Sequence, residues 1–255
     1  VPADLTGTRI FNQRSGEFST MLGPVFANLV LADEINRAPA KVQSALLEVM
    51  QERQVTIAGQ SHPVPRPFFV MATQNPIETE GTYALPEAQV DRFMMKVLVG
   101  YPSEDEEFVI VSRVTGAAQA IGRVATTEQL LALQKQVREL YVDPTLLQFA
   151  VKVVAATRDP AKAGLPGAAR LILYGASPRA TIGMIEAGRA LAFLRGRDYV
   201  LPEDVIDVTA DVLRHRIVLS YEALSEGVSA DDLTMRILKA IPAPEKMLEN
   251  HVRVA

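Results

Sequence analysis

Leu29-Val30-Leu31-Ala32 is an uninterrupted apolar run that stops abruptly at Asp33-Glu34. A run of this kind has no polar side to turn to water. It reads as a strand covered on both faces, the habit of parallel α/β sheets rather than of antiparallel ribbons. Phe68 to Thr73 repeats the pattern and stops at Gln74-Asn75-Pro76, where the proline biases Asn75 towards extended backbone. Between the two runs, Val42, Leu46, Val49 and Met50 recur at helical spacing, with Pro39 near the first turn. Strand, helix and second strand predict a parallel-sheet core. Ligands of such sheets collect beyond the carboxyl ends of the strands, where Asp33, Glu34 and Asn75 all fall.

Two hairpins decorate this plan. One is predicted from Thr8–Phe11 and Gly16–Met21 around the turn Asn12-Gln13-Arg14-Ser15-Gly16. The other spans Gln54–Phe69 and turns near Gly59. Its return arm carries Pro63, Pro65 and Pro67. Successive amides of a strand point to opposite edges, so prolines two apart strip donors from one edge only, and that edge cannot recruit another strand. Pro86-Glu87 opens a short helix ending near Arg92-Phe93, and Lys96–Val99 predicts a last short strand.

The pattern changes near Tyr101-Pro102 and is almost wholly helical beyond it. An α/β unit over 1–102 and an all-α unit over 103–255 are expected. Helix starts are marked by Thr126 with Gln129, Asp143-Pro144, Ser177-Pro178, Leu201-Pro202-Glu203-Asp204, and Ser229 with Asp232.

Composition narrows the chemistry. Across 255 residues, 48% are hydrophobic and 22% charged, enough for a packed core. The absence of cysteine excludes disulfides, thiol catalysis and thiolate metal sites. His62, His215 and His251 are too scattered for a metal cluster. A net charge of −4 argues against nucleic acid as a partner. No apolar run approaches a membrane span, and no signal peptide is visible, which suggests the cytoplasm.

Asp33 suits a magnesium ion held through water, and Glu34 could take a proton from an attacking water. The same pair also fits a strand that simply meets solvent in two charges. Asn75 could donate an amide to a phosphate oxygen, or merely form a turn before proline. Arg92 could stabilise a transferring phosphoryl group, pair with Asp91, or simply sit favourably at a helix C-terminus. Arg179 is the second residue of a helix, where a cation faces the positive end of the dipole at about 0.3–1 kcal/mol. A bound phosphate would resolve that conflict, and so would an acidic side chain from elsewhere. No Gly-x-x-x-x-Gly-Lys-Ser/Thr phosphate loop occurs, and Gly-Lys is absent altogether.

Several ordered blocks closely resemble the MoxR branch of AAA+ ATPases. They are Gly23-Pro24-Val25-Phe26, Ala32-Asp33-Glu34-Ile35-Asn36-Arg37-Ala38-Pro39, Gln43–Glu48 and Met50–Ile57. Ala72-Thr73-Gln74-Asn75-Pro76-Ile77-Glu78, Glu80–Tyr83, Leu85–Gln89 and Asp91-Arg92-Phe93 continue the series. The resemblance is tight from residue 4 to about 105 and looser through Ser177-Pro178-Arg179-Ala180 and the later helices.

It implies a partial P-loop NTPase core followed by a helical lid, with ATP and Mg2+ as ligands. Asp33-Glu34 would be the Walker B pair, with Glu34 the catalytic base, and Asn75 sensor 1. Arg92 would be an arginine finger reaching a neighbouring subunit, and Arg179 sensor 2. The hairpins would be the helix-2 insert and the pre-sensor-1 hairpin. The family implies a homo-oligomer, typically a hexameric ring, and chaperone-like remodelling with von Willebrand factor A-domain partners. Its Walker A loop belongs upstream of Val1, so this polypeptide alone is expected to be inactive. A non-catalytic interaction module, or a DNA or chelatase motor of the same clade, are the alternatives.

Overall fold

The computed structural model describes residues 2–14, 16–75, 81–116 and 120–245. Ser15 of the first turn, and Pro76, Ile77, Glu78 and Glu80 of the family-like stretch, lie outside the described residues.

Helix α1 (Pro2–Thr6) leads into β1 (Gly7–Asn12), which pairs antiparallel with β2 (Glu17–Leu22). The first hairpin is therefore present, its first arm longer than expected by one residue at each end and its second arm displaced by one residue. At its base Gly7 has φ 103°, and a Cβ there would lie 2.3 Å from the Met21 carbonyl oxygen. Only glycine fits so close an approach. Phe11 and Phe18 meet at 4.9 Å, yet both faces of the ribbon are largely exposed.

Next come β3 (Leu29–Ala32), α2 (Ala40–Glu52), β4 (Gln54–Ile57), β5 (Gln60–Pro63) and β6 (Phe69–Ala72). β3 and β6 run parallel in register, from Leu29↔Phe69 to Ala32↔Ala72. One face of this pair, formed by Val30, Ala32, Val70 and Ala72, packs on a core of Val25, Ile35, Leu46, Val49, Val55 and Ile57. The other face corrects the expectation of full burial. Leu29, Leu31, Phe69 and Met71 are 67%, 61%, 56% and 53% exposed. A parallel strand is buried on both sides only where both faces carry a covering layer, and the described residues supply one.

The second hairpin turns through Ala58 and Gly59, both at positive φ (49° and 83°), which matches the twist of a two-residue loop. The Val64 amide donates to the Arg53 carbonyl at 3.0 Å, so the alternate positions Pro63 and Pro65 fall on the outer edge. No further described strand pairs there, as the missing donors require.

Helix α3 (Glu87–Val90) is short, and Arg92-Phe93 follow it in a turn. Lys96–Val99 is not a strand, contrary to its apolar reading. No described strand lies alongside to complete a ladder, and the Lys96 amide donates instead to the Asp211 carbonyl at 2.8 Å. Val97, Leu98 and Val99 are consequently exposed.

The remaining elements are α4 (Glu104–Thr115), α5 (Thr127–Glu139), α6 (Pro144–Arg158), β7 (Ile172–Tyr174), α7 (Pro178–Leu194), α8 (Pro202–Leu213), β8 (Val218–Leu219), α9 (Tyr221–Ser225) and α10 (Ala230–Ala240). The expected start signals act as caps. Thr126, Asp143, Ser177 and Ser229 each accept a backbone N–H of their own helix. The Asp204 carboxylate accepts the Leu201 amide at 2.8 Å. Helices α6, α7, α8 and α10 enclose a second apolar core that includes Val153, Met184, Val205, Val212, Leu233 and Ile237. Gly183 and Gly188 let α8 approach α7 closely, because a Cβ there would meet Val212 and Val205 at 3.3 and 3.2 Å. The short antiparallel pair β7–β8 interrupts a half read as almost wholly helical. Among the described residues no helix is long and apolar enough to cross a membrane.

Candidate functional site

The register of β3 against β6 brings the first residues after each strand side by side. The Thr73 hydroxyl donates to Asp33 Oδ1 at 2.5 Å and accepts the Glu34 amide at 2.8 Å. The Ile35 amide donates to the Thr73 carbonyl at 2.9 Å. These bonds hold Glu34 in the left-handed region, φ 48° and ψ 52°. A non-glycine residue there costs roughly 1–2 kcal/mol, and such strain concentrates at functional positions. The turn carries the Glu34 carboxylate towards Asn75, whose Nδ2 donates to Oε1 at 3.4 Å. Arg37 Nε lies 3.0 Å from the other oxygen. The Asn36 side-chain Nδ2 donates to the Asn75 carbonyl at 3.5 Å, which ties the two strand ends together again.

Asp33, Glu34 and Asn75 thus form one cluster. Thr73 completes it and was not singled out from the sequence. Its place opposite Asp33 depends on strand register, which no local pattern reveals. Asp33 Oδ2 makes no hydrogen bond to a described residue, leaving a hard oxygen of the kind magnesium takes. Among the described residues no group of three or more acidic or histidine side chains could cage a metal. The donor set fits magnesium that keeps most of its ligands as water or phosphate oxygen.

Arg179 belongs to a different cluster, centred on Asp91, and Arg92 lies beside it in sequence without joining it. Ser177 Oγ donates to Asp91 at 2.8 and 3.1 Å, Arg216 Nε donates to it at 2.8 Å, and Arg179 lies 3.9 Å away. The same Ser177 oxygen caps α7 by accepting the Arg179 amide at 3.2 Å. An acid from elsewhere in the chain therefore sits at the start of α7, the plainer of the two ways to offset a cation there. Arg179 remains 47% exposed. Arg92 is exposed, and its side chain makes no hydrogen bond or ion pair with a described residue. The plainer reading of Arg92, a pair with Asp91, is not what forms, since Ser177 and Arg216 occupy that carboxylate. No described hydrogen bond or ion pair joins Arg92 or Arg179 to Asp33 or Glu34.

His215 lies beneath the Asp91 cluster, its Nε2 bonded to the Phe93 carbonyl at 3.0 Å. Nε2 is therefore the donor, and the buried Nδ1 has no partner among the described residues. Burial, and then the charge of Arg216, push the imidazole down to about 4, against the Phe93 carbonyl and Asp91. Lys96 acts in the same downward direction. The folded value lies below the unfolded one, so the unfolded chain takes up the proton first as pH falls. Stability tied to His215 is full above about pH 6.5 and is lost towards about pH 4, by at most about 3 kcal/mol. The urea midpoint of the wild type should drop more between pH 7 and pH 5 than that of His215→Gln. Equal drops would show that His215 is not the group responsible.

Two stretches match known families. Residues 1–95 match the ATPase family associated with various cellular activities (AAA), and residues 167–237 match the AAA lid domain. The chain is 53% identical over 245 residues to Chaperone MoxR1 of Mycobacterium tuberculosis, covering 96% of this chain and 65% of that protein. It is 41% identical over 246 residues to the uncharacterized protein YeaC of Bacillus subtilis, covering 96% of this chain and 74% of that one. The solved structure of a Cytophaga hutchinsonii protein, 46% identical, superposes with a TM-score of 0.90 and covers 96% of this chain and 75% of that chain.

A parallel α/β piece with acids at a strand end, followed by a helical lid region, is the AAA+ fold of P-loop NTPase type. Within that class the chain belongs to the MoxR family. It spans 65% of the length of its mycobacterial relative.

Proposed function

We propose that the complete protein binds and hydrolyses ATP, and that it uses the cycle as a cytoplasmic, chaperone-like remodeler of partner proteins or complexes. The observation that carries this reading is the Thr73-held turn, with Glu34 strained into the left-handed region and Asn75 at 3.4 Å. Glu34 takes the proton of the attacking water. Asn75 orients the Glu34 carboxylate and offers its amide to the γ-phosphate. Asp33 holds magnesium through water; the ion, when bound, neutralises phosphate charge. The 255 residues contain no Gly-rich phosphate loop, so gripping the β- and γ-phosphates falls to groups outside them.

Residues 1–102 act as the nucleotide-facing core and 103–255 as the lid. Two separate apolar clusters support that division. Arg179 serves as sensor 2 from the start of α7, exchanging Asp91 for phosphate. Arg92, exposed and without a described partner, acts as a finger on the nucleotide of a neighbouring copy in a ring, most simply a hexamer. A protein with a von Willebrand factor A domain is the partner that the family reading favours.

The test is complementation. Arg92→Ala subunits and Glu34→Gln subunits should each be poorly active alone. Mixed, they should regain part of the ATP turnover, because the second supplies an intact Arg92 to a site whose Glu34 is intact. No recovery at any ratio would exclude a finger acting between subunits.

A further inference from the structure

Three consecutive residues in the turn just after α8, Arg214, His215 and Arg216, all reach back to the stretch 91–96. Arg216 Nε donates to the Asp91 carboxylate at 2.8 Å, and Nη2 donates to the Asp91 and Phe93 carbonyls at 3.0 and 2.6 Å. Its Nη1 donates to the Met94 and Val212 carbonyls at 2.9 and 2.5 Å. A guanidinium has five N–H donors, and each has an acceptor here. His215 bonds the Phe93 carbonyl, and Arg214 bonds the Lys96 carbonyl while Asp231 holds its Nε at 2.9 Å.

The Arg216 side chain is 3% exposed. Withdrawing an arginine from water costs several kcal/mol unless its charge is paired and its donors are filled. Four of its five acceptors belong to Asp91, Phe93 and Met94. The match is thus to one particular path of the backbone. Arg92 lies in the middle of that path. The carbonyls on either side of it are tied down, while its own side chain faces solvent. The main chain is held and the guanidinium is left available, which is what a group that must meet a second molecule in a set geometry requires.

We propose that Arg216, flanked by Arg214 and His215, is a positioning residue for Arg92. Through it the helical half of one subunit sets where Arg92 meets the nucleotide of a second copy of the chain. The proposal rests on the reading of Arg92 as a finger acting between subunits.

The test is a double-mutant cycle on the complete protein, with kcat and KM for ATP measured for Arg92→Ala, Arg216→Gln and the double variant. Misplacing a catalytic group by about 1 Å loses up to about 100-fold, so Arg216→Gln should lose at least about tenfold in kcat, with KM within about twofold. The double variant should be no slower than Arg92→Ala alone, because Arg216 acts through Arg92. A double variant slower by the product of the two losses, or an undiminished Arg216→Gln, would overturn the positioning role. Should Arg216→Gln fail to fold, Asp91→Asn takes its place. It keeps the carbonyl contacts, removes the charge partner, and should show a smaller loss with the same non-additivity. A fully active Arg92→Ala would instead remove the finger reading itself.

Discussion

Replacing Glu34 with glutamine is expected to lower the ATP turnover of the complete protein by at least ~100-fold, the scale of a lost general base. The substitution is conservative in shape. Thr73 holds the turn through the backbone amides of Glu34 and Ile35, the Ala32 carbonyl and the Asp33 carboxylate, none of which depends on the Glu34 side chain. A glutamine oxygen can still accept from Asn75 Nδ2, as Oε1 does at 3.4 Å. Arg37 would lose its ionic partner at 3.0 Å, but that contact is on the exposed side, and surface pairs contribute about 0–1 kcal/mol. What disappears is the capacity to take a proton. Phosphate release should therefore collapse while nucleotide affinity and the thermal midpoint stay near wild type. Turnover within a few-fold of wild type would remove Glu34 from the role.

The largest effect on stability is expected from Asp204→Ala. Asp204 is fully buried, and its carboxylate receives Arg195 at 2.7 Å, Arg197 at 2.6 and 2.5 Å, and the Leu201 amide at 2.8 Å. Burial raises its pKa, but the bonds from Arg197, the Leu201 amide and Arg195 outweigh that and hold it below the usual carboxylate range. Alanine would strand Arg197, only 18% exposed, without its counter-charge and leave the first turn of α8 uncapped. Removing one partner of a buried pair costs about 3–5 kcal/mol, a fall of roughly 10 °C or more in Tm for a chain of this size. A depressed carboxyl stabilises above its unfolded pKa, so the deficit should be full at pH 7 and shrink below about pH 4. A calorimetric Tm within about 2 °C of wild type at pH 7 would contradict the assignment.

The parts of the fold that depend on neighbours in sequence were legible. Thr126, Asp143, Ser177 and Ser229 start helices because a side-chain oxygen three residues or fewer from an unpaired amide needs no tertiary context. Gly59 turned the second hairpin by an equally local cause, its tolerance of positive φ. Lys96–Val99 failed as a strand because apolar content says nothing about whether a ladder partner lies alongside. β7 and β8 were missed because runs of three and two residues carry no measurable period. Leu29 and Leu31 are apolar enough for a covered face, but nothing in the run itself says whether a layer covers it.

The chemistry divides along the same line. The placement of Asp33, Glu34 and Asn75 could be read from the sequence because each lies within two residues of the end of an apolar run, and parallel strand ends gather at one edge. Only the tertiary structure supplied Thr73 between Asp33 and Glu34, because a one-residue change of register would place another side chain there. It alone showed that Asp91, 125 positions from Arg216, faces the start of α7. Local sequence carries the caps, turns and strand ends, whose physics acts over a few residues. The filling of a buried guanidinium by five acceptors, most of them distant in sequence, is settled only when the chain is packed.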